Sequence, residues 1–327
     1  MKTNVHTMVS ALNEGLRQEM KRDSSVLLYG EDVGKVGGVF RVTQGIQKEF
    51  GEKRCFDSPL AEAGIIGTAI GLAINGMKPV VEMQFSGFFY EGFAQVYCHA
   101  ARMRNRSRGR FTVPMVIRMP FAGGIRALEH HSESTEAILS HIPGLKVVVA
   151  STPFDAKGLI TSAIRDPDPV IFMEPKRVYR ALKQEVPEQQ YSIPIGQAAV
   201  LQDGTDLTIF SYGSMLHQVF KAMPKLKEQN ISARVVDLRT ISPLDTKTIL
   251  ESAEKTGRVV IVQEAARSFG ASSEIATLIY ENSFGKLKAP IERVTGYDIH
   301  MPLLRRENIY LPDETNIMEA VKKVLNK

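Results

Sequence analysis

The chain has 327 residues, with 41 lysines and arginines against 36 aspartates and glutamates, a net charge of +5. Hydrophobic residues make up 43% and charged residues 24%, a globular balance that excludes disorder, collagen and low-complexity fibres. Two cysteines, Cys55 and Cys98, exclude a disulfide scaffold and a cysteine-rich zinc site, and so small a positive excess does not call for nucleic acid.

At ~150 residues per domain the length predicts two domains. The longest nearly apolar run, Gly64 to Met77, contains Thr68 and Asn75 and falls short of the ~18 apolar residues that span a bilayer. Met1 to Leu16 has neither an Arg-rich lead nor a signal-like apolar core, so a cytoplasmic chain with no membrane association is expected.

Apolar positions at Met8, Ala11, Leu12, Leu16 and Met20 predict a helix over Val5 to Arg22. A short buried strand follows at Val26 to Gly30, then a Gly-rich loop over Val33 to Gly45 leading into a helix from Thr43 to Phe50. The pattern continues with an extended Cys55–Pro59, a helix at Ala61–Asn75, a strand at Pro79–Gln84, a helix at Phe88–Arg104 and a strand at Val113–Met119. Phe121 to Ser134 has no period, two adjacent glycines and several ionisable groups, the composition of a functional loop. A strand at Leu145–Ala150, a helix at Pro153–Arg165 and a strand at Val170–Met173 complete an alternating pattern that predicts a parallel sheet covered on both faces.

Lys183 to Pro194 is polar, carries two prolines and lacks periodicity, which predicts an interdomain linker. A second α/β set follows. Its strands are expected at Leu207–Phe210, Ala233–Asp237, Val259–Gln263 and Ile291–Val294, and its helices near His217–Gln229, Asp245–Thr256, Ser272–Phe284 and Asn316–Leu325.

No P-loop, G-x-G-x-x-G, G-x-S-x-G or H-E-x-x-H pattern is present. The alternating arginines Arg102, Arg104, Arg106, Arg108 and Arg110 have no interleaved aromatic, so they read as a solvated or partner-facing segment. Gly64, Gly67 and Gly71 share a helix face and predict close packing. Two segments carry candidate chemistry. Glu62 opens a largely apolar helix, where an acid is also favoured simply by the helix dipole. His130 and His131 lie in the loop, where an imidazole is available for proton transfer or is incidental.

Several ordered segments decide between these readings: Gly30-Glu31-Asp32-Val33, Gly37-Gly38-Val39-Phe40, Asp57-Ser58-Pro59-Leu60-Ala61-Glu62, His131-Ser132, Pro143-Gly144-Leu145-Lys146-Val147-Val148 and Asp237-Leu238-Arg239-Thr240. In combination they resemble the beta subunit of the decarboxylase component of 2-oxo acid dehydrogenases, a family that includes the pyruvate, branched-chain and acetoin enzymes. The resemblance covers essentially the whole chain. It implies an α/β fold of transketolase-like architecture, with a pyrimidine-binding domain over residues 1–183, a linker at 184–194 and a transketolase C-terminal-like domain over 195–327.

The resemblance also implies thiamine diphosphate bound between an alpha and a beta subunit in a heterotetramer of two each. The Gly-Asp-Gly motif that would hold Mg²⁺ and the diphosphate does not occur here, so the alpha chain is expected to supply that half. Glu62 is then expected to hydrogen-bond N1′ of the aminopyrimidine, with Leu60, Gln84 and Phe88 lining its pocket. His131 is expected to help pass the acyl group to the lipoyl dithiolane of the dihydrolipoyl acyltransferase component, with His130 near the substrate. A structural K⁺ is expected at Met115, Ala163, Ile164, Asp166 and Asp168. Two rival readings are half of a split transketolase and a non-catalytic scaffold.

Overall fold

The computed structural model describes residues 2–326. The chain opens with strand β1 (Thr3–His6) and helix α1 (Met8–Arg22), where the spacing predicted one helix from Val5. Thr7 sets the boundary: its hydroxyl accepts the Ser10 N–H at 3.3 Å and the Ser10 hydroxyl accepts the Thr7 N–H at 3.0 Å, a reciprocal cap.

Strands β2 (Val26–Gly30), β3 (Cys55–Asp57), β4 (Lys78–Glu82), β5 (Val116–Phe121), β6 (Lys146–Val149) and β7 (Val170–Pro175) are parallel, in the spatial order β6-β7-β5-β4-β2-β3. Between them lie α2 (Ile46–Phe50), α3 (Glu62–Ile74), α4 (Phe93–Cys98), α5 (Met103–Arg106), α6 (Glu136–Ser140) and α7 (Pro153–Arg165). Apart from the edge strand β3, these strands are buried on both faces, as near-continuous apolar runs require. One face packs on α1 and α7. The other packs on α3 and the second domain.

The single helix expected over Phe88–Arg104 is broken into 3₁₀ turns at Ser86–Gly92 and Ala100–Arg102 flanking α4, with α5 beyond. Gly92 explains part of the break. A Cβ there would press on the Ile66 side chain and lie 3.2 Å from the Glu62 carbonyl oxygen on α3, so glycine, a weak helix former, eases the close approach.

Residues 184–194 are not a free tether. They begin with β8 (Gln184–Pro187), which pairs antiparallel with β1 and ties the segment back onto the first sheet's helices. The second sheet contains β9 (Ala199–Gln202), β10 (Leu207–Ser211) and β11 (Ala233–Asp237). After β12 (Thr240–Ser242) it is completed by β13 (Val259–Ala266) and β14 (Glu292–Gly296), in the order β14-β13-β10-β11-β9 with β9 antiparallel. Its helices are α8 (Ser214–Glu228), α9 (Thr246–Thr256), α10 (Ala271–Ser283), the short α11 (Glu307–Tyr310) and α12 (Glu314–Leu325). No helix among the described residues is long and apolar enough to cross a membrane.

The Asp237-Leu238-Arg239-Thr240 segment joins the two halves. Leaving β11, the chain crosses over, and β12 pairs antiparallel with β6 at the edge of the first sheet. Arg239 Nη2 meets Asp155 Oδ1 on α7 at 2.6 Å, and the Ser151 hydroxyl donates to the buried Asp237 at 2.9 Å. Apolar residues from both sheets, among them Phe121, Val149, Phe210 and Ile261, share one core.

Arg118, on β5, has no exposed surface. Its guanidinium makes a bidentate pair with Glu174 at 2.7 and 2.8 Å and reaches Glu82 at 2.7 Å. Tyr179 donates to the same Glu174 at 2.7 Å. Arg118→Ala would strand two carboxylates in the core. It is expected to lower stability by about 3–5 kcal/mol, read as a shift of the urea midpoint at constant slope. A loss near the ~0–1 kcal/mol of a surface pair would contradict this account.

Candidate functional site

Parallel α/β sheets bind ligands beyond the carboxyl ends of their strands. Leu60 and Glu62 follow β3, Gln84 and Phe88 follow β4, and His130 and His131 lie between β5 and α6. The structure therefore brings all six to one end of the first sheet. The Met115, Ala163, Ile164, Asp166 and Asp168 set precedes β5 and β7, at the opposite end, about one strand length or ~20 Å away.

Glu62 is the first residue of α3 and is 8% exposed. The helix start is anchored from β2, where the Tyr29 hydroxyl donates to the Ile65 carbonyl at 2.9 Å and the Tyr29 ring stacks on Phe56. Glu31, one residue beyond β2, is buried beside it. Burial, then the charge of Glu62, then that of Asp32, raise the Glu31 carboxyl above its ordinary value. Sequence reasoning did not single out Glu31, although a buried acid immediately after a strand in Gly30-Glu31-Asp32-Val33 was the available signal. The Asp57 carboxylate accepts the backbone N–H groups of Gly34 at 2.6 Å and Lys35 at 3.2 Å. That contact folds the glycine-rich loop against the Asp57–Glu62 segment.

Gln84 is half-buried and donates to Asp32 at 3.3 Å. Leu60 is 79% exposed at this end of the sheet. Phe88 is half-buried and meets His131 edge-on, ring centroids 5.2 Å apart. Phe85, which the sequence analysis passed over, completes a three-ring cluster at 4.5 Å from His131 and 5.5 Å from Phe88.

Gly87 makes this cluster possible. A Cβ there would lie 2.1 Å from the His130 carbonyl oxygen. The Ser86 hydroxyl donates to the Glu133 carbonyl at 2.8 Å, locking the same turn to the histidine loop. His131 Nδ1 and Ser58 Oγ are buried without a hydrogen-bond partner, whereas the His130 side chain is exposed. Leu60, Val39, Tyr90 and Leu128 present apolar surface around these residues.

At the opposite end, Asp166 receives Lys146 Nζ at 2.7 and 2.6 Å and Asp168 receives Arg104 Nε at 2.7 Å. The Met115 carbonyl accepts the Val170 N–H at 3.0 Å. Side-chain cations thus already supply the charge that an ion would bring, and a cation at this set competes with Lys146 and Arg104. A cleft of about 840 Å³ lined by Arg104, Lys146, Asp168 and Pro243 adjoins it.

The fold and both halves of the chain define a transketolase-type α/β protein. Residues 5–181 match the transketolase pyrimidine binding domain family and residues 196–317 the transketolase C-terminal domain family. A split-gene transketolase solved as an inactive β4 tetramer superposes with a TM-score of 0.79 at 21% identity, covering 98% of each chain. The similarity to pyruvate dehydrogenase E1 component beta subunits is much higher. That of Acholeplasma laidlawii is 52% identical over 97% of both chains. Those of Bacillus subtilis and Staphylococcus epidermidis are 50% and 49% identical over 98% of both chains. The chain belongs to this family.

Glu136, at the start of α6 behind the histidine loop, is fully buried and accepts the Tyr212 hydroxyl at 2.8 Å. Burial raises its carboxyl from 4.5 to about 7. The folded chain therefore holds a proton there that the unfolded chain releases at lower pH. The stability gained from this group is full below the unfolded value and declines as pH rises toward 7. Glu136→Gln is expected to flatten the fall of Tm between about pH 5 and 7. Parallel Tm profiles for the variant and parent would overturn the assignment.

Proposed function

We propose that this chain is the beta subunit of a thiamine diphosphate-dependent 2-oxo acid dehydrogenase, with pyruvate as substrate, working as a heterotetramer with an alpha subunit. The proposed setting is the cytoplasm. The observation that carries the reading is the juxtaposition of a buried acid at the start of α3, with the buried Glu31 beside it, and an aromatic–histidine cluster at the same sheet end, in a chain about half identical to such subunits.

The residues fit the aminopyrimidine half of the cofactor. Phe88 is a half-buried ring, Gln84 offers an amide, and the orphaned His131 Nδ1 and Ser58 Oγ call for a polar partner from outside the chain. The exposed apolar rim, including Leu60, fits a partner surface. The diphosphate and its Mg²⁺ are assigned to the alpha subunit. When bound, thiamine diphosphate supplies the nucleophilic carbon and the electron sink for decarboxylation.

In this reading Glu62 exchanges a proton with N1′ of the aminopyrimidine. Its neighbour Glu31, whose carboxyl is raised above its ordinary value by burial and then by the Glu62 charge, adds a second acid beside it. Leu60, Gln84 and Phe88 orient the ring. His131 donates a proton to the leaving sulfur of a lipoyl dithiolane carried by the dihydrolipoyl acyltransferase, and its edge-on contacts with Phe85 and Phe88 fix the imidazole plane. The exposed His130 faces entering substrate. K⁺ at Met115, Ala163, Ile164, Asp166 and Asp168 is proposed only as a structural ion in competition with Lys146, and no step depends on it.

The test is dye reduction driven by pyruvate or by branched-chain 2-oxo acids, with thiamine diphosphate and Mg²⁺, using this chain alone and co-expressed with its alpha subunit. Activity is expected only in the pair, with pyruvate preferred. Glu62→Gln is expected to lower it ~10²–10⁴-fold, the usual worth of positioned proton transfer, with the heterotetramer intact by size-exclusion chromatography. Full activity of the variant favours a scaffold, sugar-phosphate turnover without CO₂ release favours a split transketolase, and activity of this chain alone refutes the shared site.

A further inference from the structure

The loop that carries His130 and His131 belongs to the first domain, but two buried carboxylates of the second domain hold its backbone. Glu264, on β13, accepts the Gly123 N–H with one oxygen and the Ser214 hydroxyl at 2.8 Å with the other. Glu307, the first residue of α11, accepts the Gly124 N–H at 2.5 Å and the Arg126 N–H at 2.8 Å, one on each oxygen. The two acids are 3% and 1% exposed. Three backbone donors within four residues, none belonging to a helix or strand ladder, thus end on buried carboxyl oxygens of the second domain, and buried polar groups of this kind are costly to leave unpaired.

Other contacts complete the clamp. The Lys176 ammonium donates to the Ala122 carbonyl between the two acids. The Ala122 N–H donates to the Glu133 carbonyl at 2.8 Å and closes the base of the loop. The paired glycines are what admit the carboxylates. A Cβ on Gly123 would lie 2.8 Å from Glu307 Oε1 and 3.3 Å from Glu264 Oε1, and Gly124 has φ +95°. On the other side the loop rests on Ser86 and Gly87.

We infer that Glu264 and Glu307 are positioning residues: they set the path of the 122–134 loop and so the placement of His131 against Phe85 and Phe88. The second domain thereby becomes a determinant of group transfer at a site whose side chains all come from the first. The functional half of this inference rests on the acyl-transfer role of His131 proposed above.

The test uses the assembled heterotetramer and compares two rates, pyruvate-driven dye reduction and reductive acylation of a lipoylated domain. Glu307→Ala is expected to lower the ratio of lipoyl to dye rates ~10–100-fold, since displacement by about 1 Å costs on that scale. Glu307→Gln, which keeps one acceptor oxygen, is expected to lower it less. In a His131→Gln background, Glu307→Ala should lower the ratio no further, because it acts through the same imidazole. Amide hydrogen exchange over residues 122–134 should quicken in Glu307→Ala while β5 stays protected.

Unchanged exchange overturns the clamp. An equal fall in both rates, or a further fall in the His131→Gln background, overturns positioning of His131. If His131→Gln itself leaves the ratio unchanged, the acyl-transfer reading fails, and the exchange result alone decides the clamp.

Discussion

A guanidinium with no exposed surface, from the middle of β5, sits between two carboxylates at the carboxyl ends of β4 and β7. Burying three charges is costly, and the arrangement survives only because every donor direction of Arg118 that points at an acid is met and Tyr179 satisfies Glu174 as well. The triad links three neighbouring strands at the height where their loops begin. From β4 comes the turn with Gln84 and Phe88, from β5 the histidine loop, and from β7 the segment ending at Lys176. Any slip between these strands would unpair a buried charge, so the triad holds in register the elements that carry the site.

On that base the site is assembled by close backbone approach more than by side-chain packing. Gly92 lets the aromatic turn press on α3, and Gly87 lets it press on the His130 carbonyl. Asp57 pulls the glycine-rich loop toward Glu62. The result is a shelf with two buried acids and one ring cluster, edged by exposed Leu60 and Leu128 and containing orphaned polar atoms at Ser58 and His131. Such a surface is energetically incomplete in a single chain, because buried polar groups are normally paired. That incompleteness accords with membership in a family of subunits rather than stand-alone enzymes.

The second domain is more than an appendage to this shelf. Its Asp237–Thr240 segment adds β12 to the first sheet and engages Asp155 and Ser151 of the first domain. Glu264, Glu307 and Tyr212 reach the histidine loop and α6 from the other side. The two halves therefore share a core and a polar seam, and the seam runs along the loop that carries His131.

Periodicity made the alternating elements of both halves legible, most accurately at α7 and β11, because a 3.6-residue or all-apolar pattern is a local property of the chain. The ordered motifs made the family legible, and the residues they single out, Leu60, Glu62, Gln84, Phe88, His130 and His131, lie at one sheet end. β1 and β8 were not legible, because a polar edge pair has no pattern until its partner is known. The breaks in the Phe88–Arg104 helix were also hidden, since they depend on what touches Gly87 and Gly92. Glu31 and Phe85 entered the site only in three dimensions, and the ion set proved to sit at the far end with lysine and arginine already on its carboxylates. The sequence by itself thus determined which segments are helices, strands and chemical motifs, through local spacing and composition. Only the tertiary structure decided which charges are buried together and which loop rests on which domain, because those energies arise between residues far apart along the chain.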